Sequence, residues 1–169
     1  MYNVNEMFIY GILSTIIFLT LLPFYYIVRV IQKKYLYGWK EKLGSLKSPN
    51  LGDKVIMLHG VSVGEIIALE NLTKRVKAEF PDYKIVVTTG TKTGQDIARK
   101  KYAEIADLVT YFPFDVPFAV NSFLNKINPT VVLIAETELW PNFAYLCNKK
   151  NIPLFVINGR ISDNTFNAY

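Results

Sequence analysis

Val55-Ile56-Met57-Leu58-His59-Gly60-Val61-Ser62-Val63-Gly64-Glu65 is an apolar run that breaks at a glycine and restarts with a serine and a glutamate three residues apart. A run of this length and composition fits a strand buried on both faces, the kind that builds parallel sheets. The same grammar recurs at Val131-Val132-Leu133-Ile134-Ala135, followed by Glu136-Thr137-Glu138-Leu139-Trp140-Pro141-Asn142. Each turn sets carboxylates at the carboxyl end of a strand, where open α/β sheets bind ligands.

Working outward from these turns, strands and helices alternate from Val55 to the end of the chain. Strands are expected at Val55–His59, Lys84–Thr89, Leu108–Tyr111, Thr130–Ala135 and Ile152–Ile157. Helices are expected at Val63–Phe80, Thr93–Tyr102, Val116–Ile127 and Leu139–Lys149. The first helix carries Ile66, Leu69, Leu72, Val76 and Phe80 at helical spacing, with Lys74, Arg75, Lys77 and Glu79 opposite and a stop at Pro81-Asp82. This order predicts an α/β fold, a Rossmann-like parallel sheet with helices on both faces. After the fifth strand comes Asn158-Gly159-Arg160-Ile161-Ser162, and the sequence stops at Tyr169 without closing another helix. A doubly wound domain normally continues, so the expectation is a truncated domain.

Ahead of the sheet, no residue between Glu6 and Arg29 is charged. Met7 to Val28 just supplies the ~20 mostly apolar residues that a membrane-spanning helix needs. Pro23 is placed to kink it, and Tyr25 and Tyr26 suit an interfacial belt. A cleaved signal peptide would want a basic start and a small-residue cleavage site, and neither is present. Arg29, Lys33, Lys34, Lys40 and Lys42 follow the apolar run. The positive-inside rule then keeps the rest in the cytoplasm, behind a single-pass membrane anchor. The alternative is a helix lying partly in the interface. The chain thus divides into an anchor (1–32), a basic connector (33–54) and the sheet domain (55–169).

The formal charge is +5. Beside an apolar segment, this balance points to anionic headgroups. Lys74, Arg75 and Lys77, and Arg99, Lys100 and Lys101, fall on polar helix faces with no nucleic-acid motif, so membrane is expected as a partner and nucleic acid is not. Cys147 is the only cysteine, which excludes an internal disulfide and reads as a small core residue.

Ser62 and Glu65 have the spacing of a capping box, which by itself accounts for both. A functional reading needs the Glu65 carboxylate at the rim, and Gly64, lacking a Cβ, lets a ligand approach the backbone there. A carboxylate so placed can accept a proton from an attacking hydroxyl. His59 is the only histidine and reads as a hydrogen-bonded core residue; no His or Cys cluster offers a metal site. Glu136 and Glu138 alternate to the same side of a strand end. Glu138 is explained by a helix start, whereas Glu136 is costly to desolvate without a partner or a task. Thr88-Thr89-Gly90-Thr91-Lys92-Thr93-Gly94 fits either an anion cradle at a helix start or an ordinary capped turn. It lacks the order of a P-loop, no G-x-G-x-x-G follows the first strand, and no Asp-x-Asp pair is present to hold a divalent ion.

Met57–Glu65, Thr88–Gly94, Tyr111-Phe112-Pro113-Phe114-Asp115-Val116-Pro117, Glu136–Asn142 and Asn158–Ser162 together resemble the 3-deoxy-D-manno-octulosonic acid (Kdo) transferases of lipopolysaccharide synthesis. The resemblance runs from the hydrophobic N-terminus through Tyr169. It implies the N-terminal, acceptor-binding half of an inverting GT-B glycosyltransferase that uses no metal or other cofactor. The donor would be CMP-Kdo and the acceptor a lipid A precursor. Glu65 matches the family's general base and Glu136 a second carboxylate that stabilises the transition state. Substrate contacts are expected at Ser62, Gly64, Thr89, Gly90, Glu138 and Arg160. The donor-binding half is absent from this sequence, so the chain alone is expected to be inactive. Two other classes stay open: a membrane-tethered α/β domain that binds a phosphorylated ligand without catalysis, and another GT-B nucleotide-sugar transferase.

Overall fold

Every residue of strand β1, Val55–Gly60, is buried, as a central parallel strand requires. The computed structural model describes residues 4–31, 37–47, 50–136 and 140–159. Strands β1, β2 (Lys84–Thr89), β3 (Leu108–Tyr111), β4 (Val131–Ala135) and β5 (Leu154–Ile157) form one parallel sheet in the order β3-β2-β1-β4-β5. Helices α1 (Val4–Ile31), α2 (Trp39–Lys42), α3 (Val63–Glu79), α4 (Lys92–Lys101), α5 (Pro117–Ile127) and α6 (Pro141–Lys149) complete the described chain.

Alternation along each strand builds a core on each face. Val55 and Met57 point to one side, where they meet Phe123, Leu124 and Ile127 of α5 and Phe143 and Cys147 of α6. Ile56 and Leu58 point to the other, against Ile66 and Leu69 of α3 and Ala98 of α4. The α/β architecture expected from the sequence is therefore the one found, and Cys147 is a core residue. Boundaries shift where proline intervenes. The fifth strand starts at Leu154, beyond Pro153, which has no N–H for the ladder, and α6 starts at Pro141, the first-turn position that proline favours.

The basic connector contributes to the fold. Leu46 and Leu51 join the core beside α5. The Glu41 carboxylate accepts from Thr110 Oγ1 and the Tyr111 N–H, both at 3.0 Å, closing the end of β3. Gly44 has φ +75°, and a Cβ there would sit 2.4 Å from the Ala119 carbonyl oxygen. Gly52 has a similar φ of +68° but faces open space. Gly44→Ala is accordingly expected to cost about 2 kcal/mol or more, and Gly52→Ala only the left-handed strain of about 1–2 kcal/mol. Urea midpoints for the two variants side by side check this ordering.

Residues Asn5–Val28 of α1 are long and apolar enough to cross a membrane. One stripe of the helix touches the α5/α6 flank. Met7 is buried, Gly11 lies over Pro117, and Asn142 Nδ2 donates to Ser14 Oγ at 3.2 Å. Phe18 packs on Phe114 and Phe118 with ring centroids 5.2 and 6.1 Å away, and Tyr25 stacks on Trp39.

Candidate functional site

From β1 the chain winds outward to β2 and β3, then crosses back to place β4 on the other side of β1. The loops leaving β1 and β4 diverge at this switch point and open a crevice at the carboxyl rim. His59 pairs in register with Ile134, so the Ser62–Glu65 turn and Glu136 leave the sheet side by side.

The capping box is fully formed. Glu65 Oε2 accepts from the Val61 N–H at 2.7 Å, and Oε1 accepts from the Ser62 N–H at 3.2 Å and the Ser62 hydroxyl at 2.6 Å. In return Ser62 Oγ caps the Glu65 N–H. These donors use three of the roughly four acceptor positions of a carboxylate, leaving about one for a ligand hydroxyl. Glu65 is buried, while a Cβ on Gly64 would meet nothing closer than Ser62 Oγ at 3.9 Å, so the turn is open above that glycine.

Glu136 takes φ +60°, the left-handed region that non-glycine residues rarely adopt. Its N–H is held by the Ile157 carbonyl at 2.8 Å, and its half-buried side chain has no hydrogen bond or ion pair among the described residues. Strain of this kind clusters at ligand sites and costs on the order of 1–3 kcal/mol. Thr137, Glu138, Leu139 and Arg160 lie outside the described residues.

A cleft of about 220 Å³ lies at the same rim, walled by Lys42, His59, Gly90, Phe112, Asp115 and Trp140 among others; it borders Val61 of the first turn, and neither Glu65 nor Glu136 lines it. His59 is buried, its ring stacked 4.0 Å from Phe112. Nδ1 lies 3.0 Å from the Thr88 hydroxyl and 3.2 Å from the Thr88 carbonyl; with that hydroxyl donating to the Leu58 carbonyl, both neighbours accept and Nδ1 carries the hydrogen. Nε2 is then a buried lone pair without a partner. Burial pushes the imidazole down to about 4, against the smaller opposing pull of the Thr88 carbonyl and Glu65. It is neutral at physiological pH, the hydrogen-bonded core histidine expected from the sequence.

The threonine-rich turn satisfies itself. Thr89 Oγ1 donates to Gln95 Oε1, and Thr91 Oγ1 caps the Gly94 N–H at 3.1 Å. Lys92 pairs with Asp96. Gly90 lines the cleft, and its Cβ would lie 2.8 Å from Val61 Cγ1, so only glycine lets this loop pack on the β1–α3 turn. Among the described residues no three His, Cys, Asp or Glu side chains converge as metal ligands.

Of the residues lining the cleft only Gly90 was among the sequence-predicted contacts, and two of the others, Lys42 and Asp115, carry charge. Lys42, read only as part of a basic run, reaches the rim and donates to the Gly90 carbonyl at 3.1 Å. Asp115 caps α6 from a distant loop, its Oδ2 and Oδ1 accepting the Asn142 and Phe143 N–H groups at 3.1 and 2.9 Å. Burial pushes its carboxyl above the usual range, and those N–H bonds pull it back. Its motif, Phe114-Asp115-Val116, carries no local signal for a cap on another helix.

Residues 37–169 match the sequence model of the family described as 3-deoxy-D-manno-octulosonic-acid transferase (kdotransferase). A 3-deoxy-D-manno-octulosonic acid transferase of Chlamydia muridarum is 33% identical over 149 residues, 88% of this chain and 35% of the relative. The Haemophilus influenzae protein of the same name is 33% identical over 114 residues, 68% of this chain and 26% of the relative. A bifunctional glycosyltransferase/methyltransferase of Fusobacterium nucleatum is 38% identical over 118 residues, 69% of this chain and 18% of the relative. The chain thus spans between about a fifth and just over a third of the length of these relatives. With the family match extending over the sheet, both acidic turns and the cleft at the rim, this chain belongs to the Kdo transferase family.

Proposed function

We propose that this chain is the acceptor-holding half of an inverting GT-B transferase that moves Kdo from CMP-Kdo to a lipid A precursor, lipid IVA, in lipopolysaccharide biosynthesis. The observation that carries this reading is the placement of the Glu65 and Glu136 turns side by side at the switch point. In the reaction the acceptor's primary hydroxyl attacks the anomeric carbon. The new C–O bond forms as the bond to the cytidine monophosphate oxygen breaks, and the hydroxyl proton passes to Glu65. Ser62 orients that carboxylate through its 2.6 Å hydrogen bond. Glu136 offsets the positive oxocarbenium character that develops at the sugar. Gly64 leaves room for the attacking hydroxyl, Lys42 and Gly90 border the cleft, and Thr89 holds the β2–α4 turn through Gln95. Glu138 and Arg160 are proposed as further substrate contacts. The helix α1 holds the protein at the cytoplasmic face of the inner membrane, within reach of a lipid acceptor.

A second reading, a membrane-attached binding domain without catalysis, draws on the completeness of the Ser62–Glu65 capping box. The test separates them. CMP-Kdo and a lipid A precursor are incubated in detergent with the full-length protein and, separately, with the 169-residue chain. The acceptor should gain the mass of Kdo with the former only, because a half-site cannot hold both reactants in near-attack geometry. No transfer by the full-length protein would leave the binding-domain reading.

A further inference from the structure

We propose that α1 does not cross the bilayer. It lies in the plane of the cytoplasmic leaflet, clamped lengthwise to the α5/α6 flank, with lipid acyl chains covering its outer face and filling the grooves beside it. This placement holds whether or not Glu65 is a base.

The first ground is how far the clamp extends. Met7, Gly11, Ser14, Phe18 and Tyr25 fall on one helical stripe, and each is buried by or touches the rest of the protein. From Met7 to Tyr25 a helix rises roughly 27 Å, close to the ~30 Å thickness of the hydrocarbon. Were α1 to span, the flank it touches would be immersed with it. At the amino-terminal end, Lys149 shares a groove wall with Asn5 and Phe8. At the other end, Trp39 opens the helix that holds Lys40 and Lys42. Between them runs the irregular 112–116 segment with Asp115. Lipid-exposed irregular backbone does not occur in hydrocarbon, and Asp115 would be carried in with that segment.

The second ground is the chemistry of the uncovered side. Ile9, Leu19, Tyr26 and Ile27 are each more than half exposed. A helix that is apolar all round needs apolar surroundings all round. The domain supplies one side and acyl chains supply the other. Grooves of about 680 and 660 Å³ flank the helix, the first walled by Leu13, Ile17 and Leu21 against Phe114, the second by Phe8, Ile12 and Ile16 against Leu146. Both are apolar slots that acyl chains fit and water does not favour. The occupant is a bilayer rather than a protein groove partner because cations sit at both ends: Lys149 at one, and at the other Lys40, next to the Trp39 on which Tyr25 stacks.

The two topologies place the amino terminus on opposite sides of the membrane. In the full-length protein with Cys147→Ala, Tyr2→Cys is challenged with a membrane-impermeant maleimide in right-side-out spheroplasts and again after permeabilisation. Protection in intact spheroplasts and labelling after permeabilisation are expected; labelling of intact spheroplasts overturns the proposal. A second pair, Ile12→Cys with Tyr145→Cys, faces across one groove. A bis-thiol crosslinker of about 10 Å should join them in membranes. Absence of the crosslink, with both single cysteines shown to be reactive, also overturns it. Should Tyr2→Cys stay unlabelled in both conditions, the crosslink decides.

Discussion

Glu65→Gln in the full-length protein is expected to lower kcat by at least ~10²-fold while the fold survives, since a positioned general base contributes about 10²–10⁴. The side chain keeps its length, and its amide oxygen can still accept from the Val61 or Ser62 N–H. At least one of the three local bonds is lost, because an amide NH2 cannot accept. The melting temperature should therefore fall by the equivalent of about 1 kcal/mol and no more than a cap is worth. Ser62→Ala is the matched control. It removes the hydroxyl that both caps the Glu65 N–H and steadies Oε1, and leaves the carboxylate in place. A stability loss like that of Glu65→Gln with a far smaller fall in kcat separates base from cap. Near-normal turnover in Glu65→Gln would reduce this residue to its structural role.

The second large effect is a loss of stability with acid, centred on His59. Its folded imidazole is pushed down to about 4 by burial, against about 6.5 in an unfolded chain. Between those values the unfolded state binds a proton that the folded state refuses. Stability is thus fully present above about pH 6.5 and falls as pH drops toward 4, by up to ~1.4 kcal/mol per unit and about 3 kcal/mol in all. Asp115 works in the opposite sense: its raised carboxyl loses stability as pH rises above the ordinary carboxylate range. Urea unfolding at pH 7, 6 and 5 should show the midpoint declining, and His59→Gln should flatten the decline from a lower starting stability. An unchanged midpoint across that window in the parent protein would show that His59 is hydrated or charged when folded.

Features that depend on neighbours in sequence were legible; those that depend on distant partners were not. The apolar runs of β1 and β4 announce themselves because a strand buried on both faces needs an unbroken apolar stretch. The Ser62–Glu65 cap is a three-residue spacing and forms as expected. Asp115 closes the start of α6, 27 residues further on, and Glu41 closes the end of β3 nearly 70 residues further on. Neither bond leaves a local pattern. The left-handed Glu136 was equally hidden, since most such positions advertise themselves with Gly or Asn. In α1 the apolar length was plain, but the docking stripe was not. Gly11 and Ser14 read as neutral residues within a uniformly apolar helix, whereas their small size is what lets Pro117 and Asn142 come close.

The strand order also sets a timetable for synthesis. β1 is the central strand, yet one of its two partners, β4, begins about 70 residues after β1 ends. At roughly 5–20 residues per second, several seconds pass after β1 leaves the ribosome before β4 exists to complete it. Through that interval the edge of β1 that faces β4 is open, and Met57 and Val55 lack the α5 and α6 side chains that cover them in the finished fold. The sheet nucleus available early is β1–α3–β2, held by local crossovers. Closure on the other side is the late, high-separation step that sets the pace of folding.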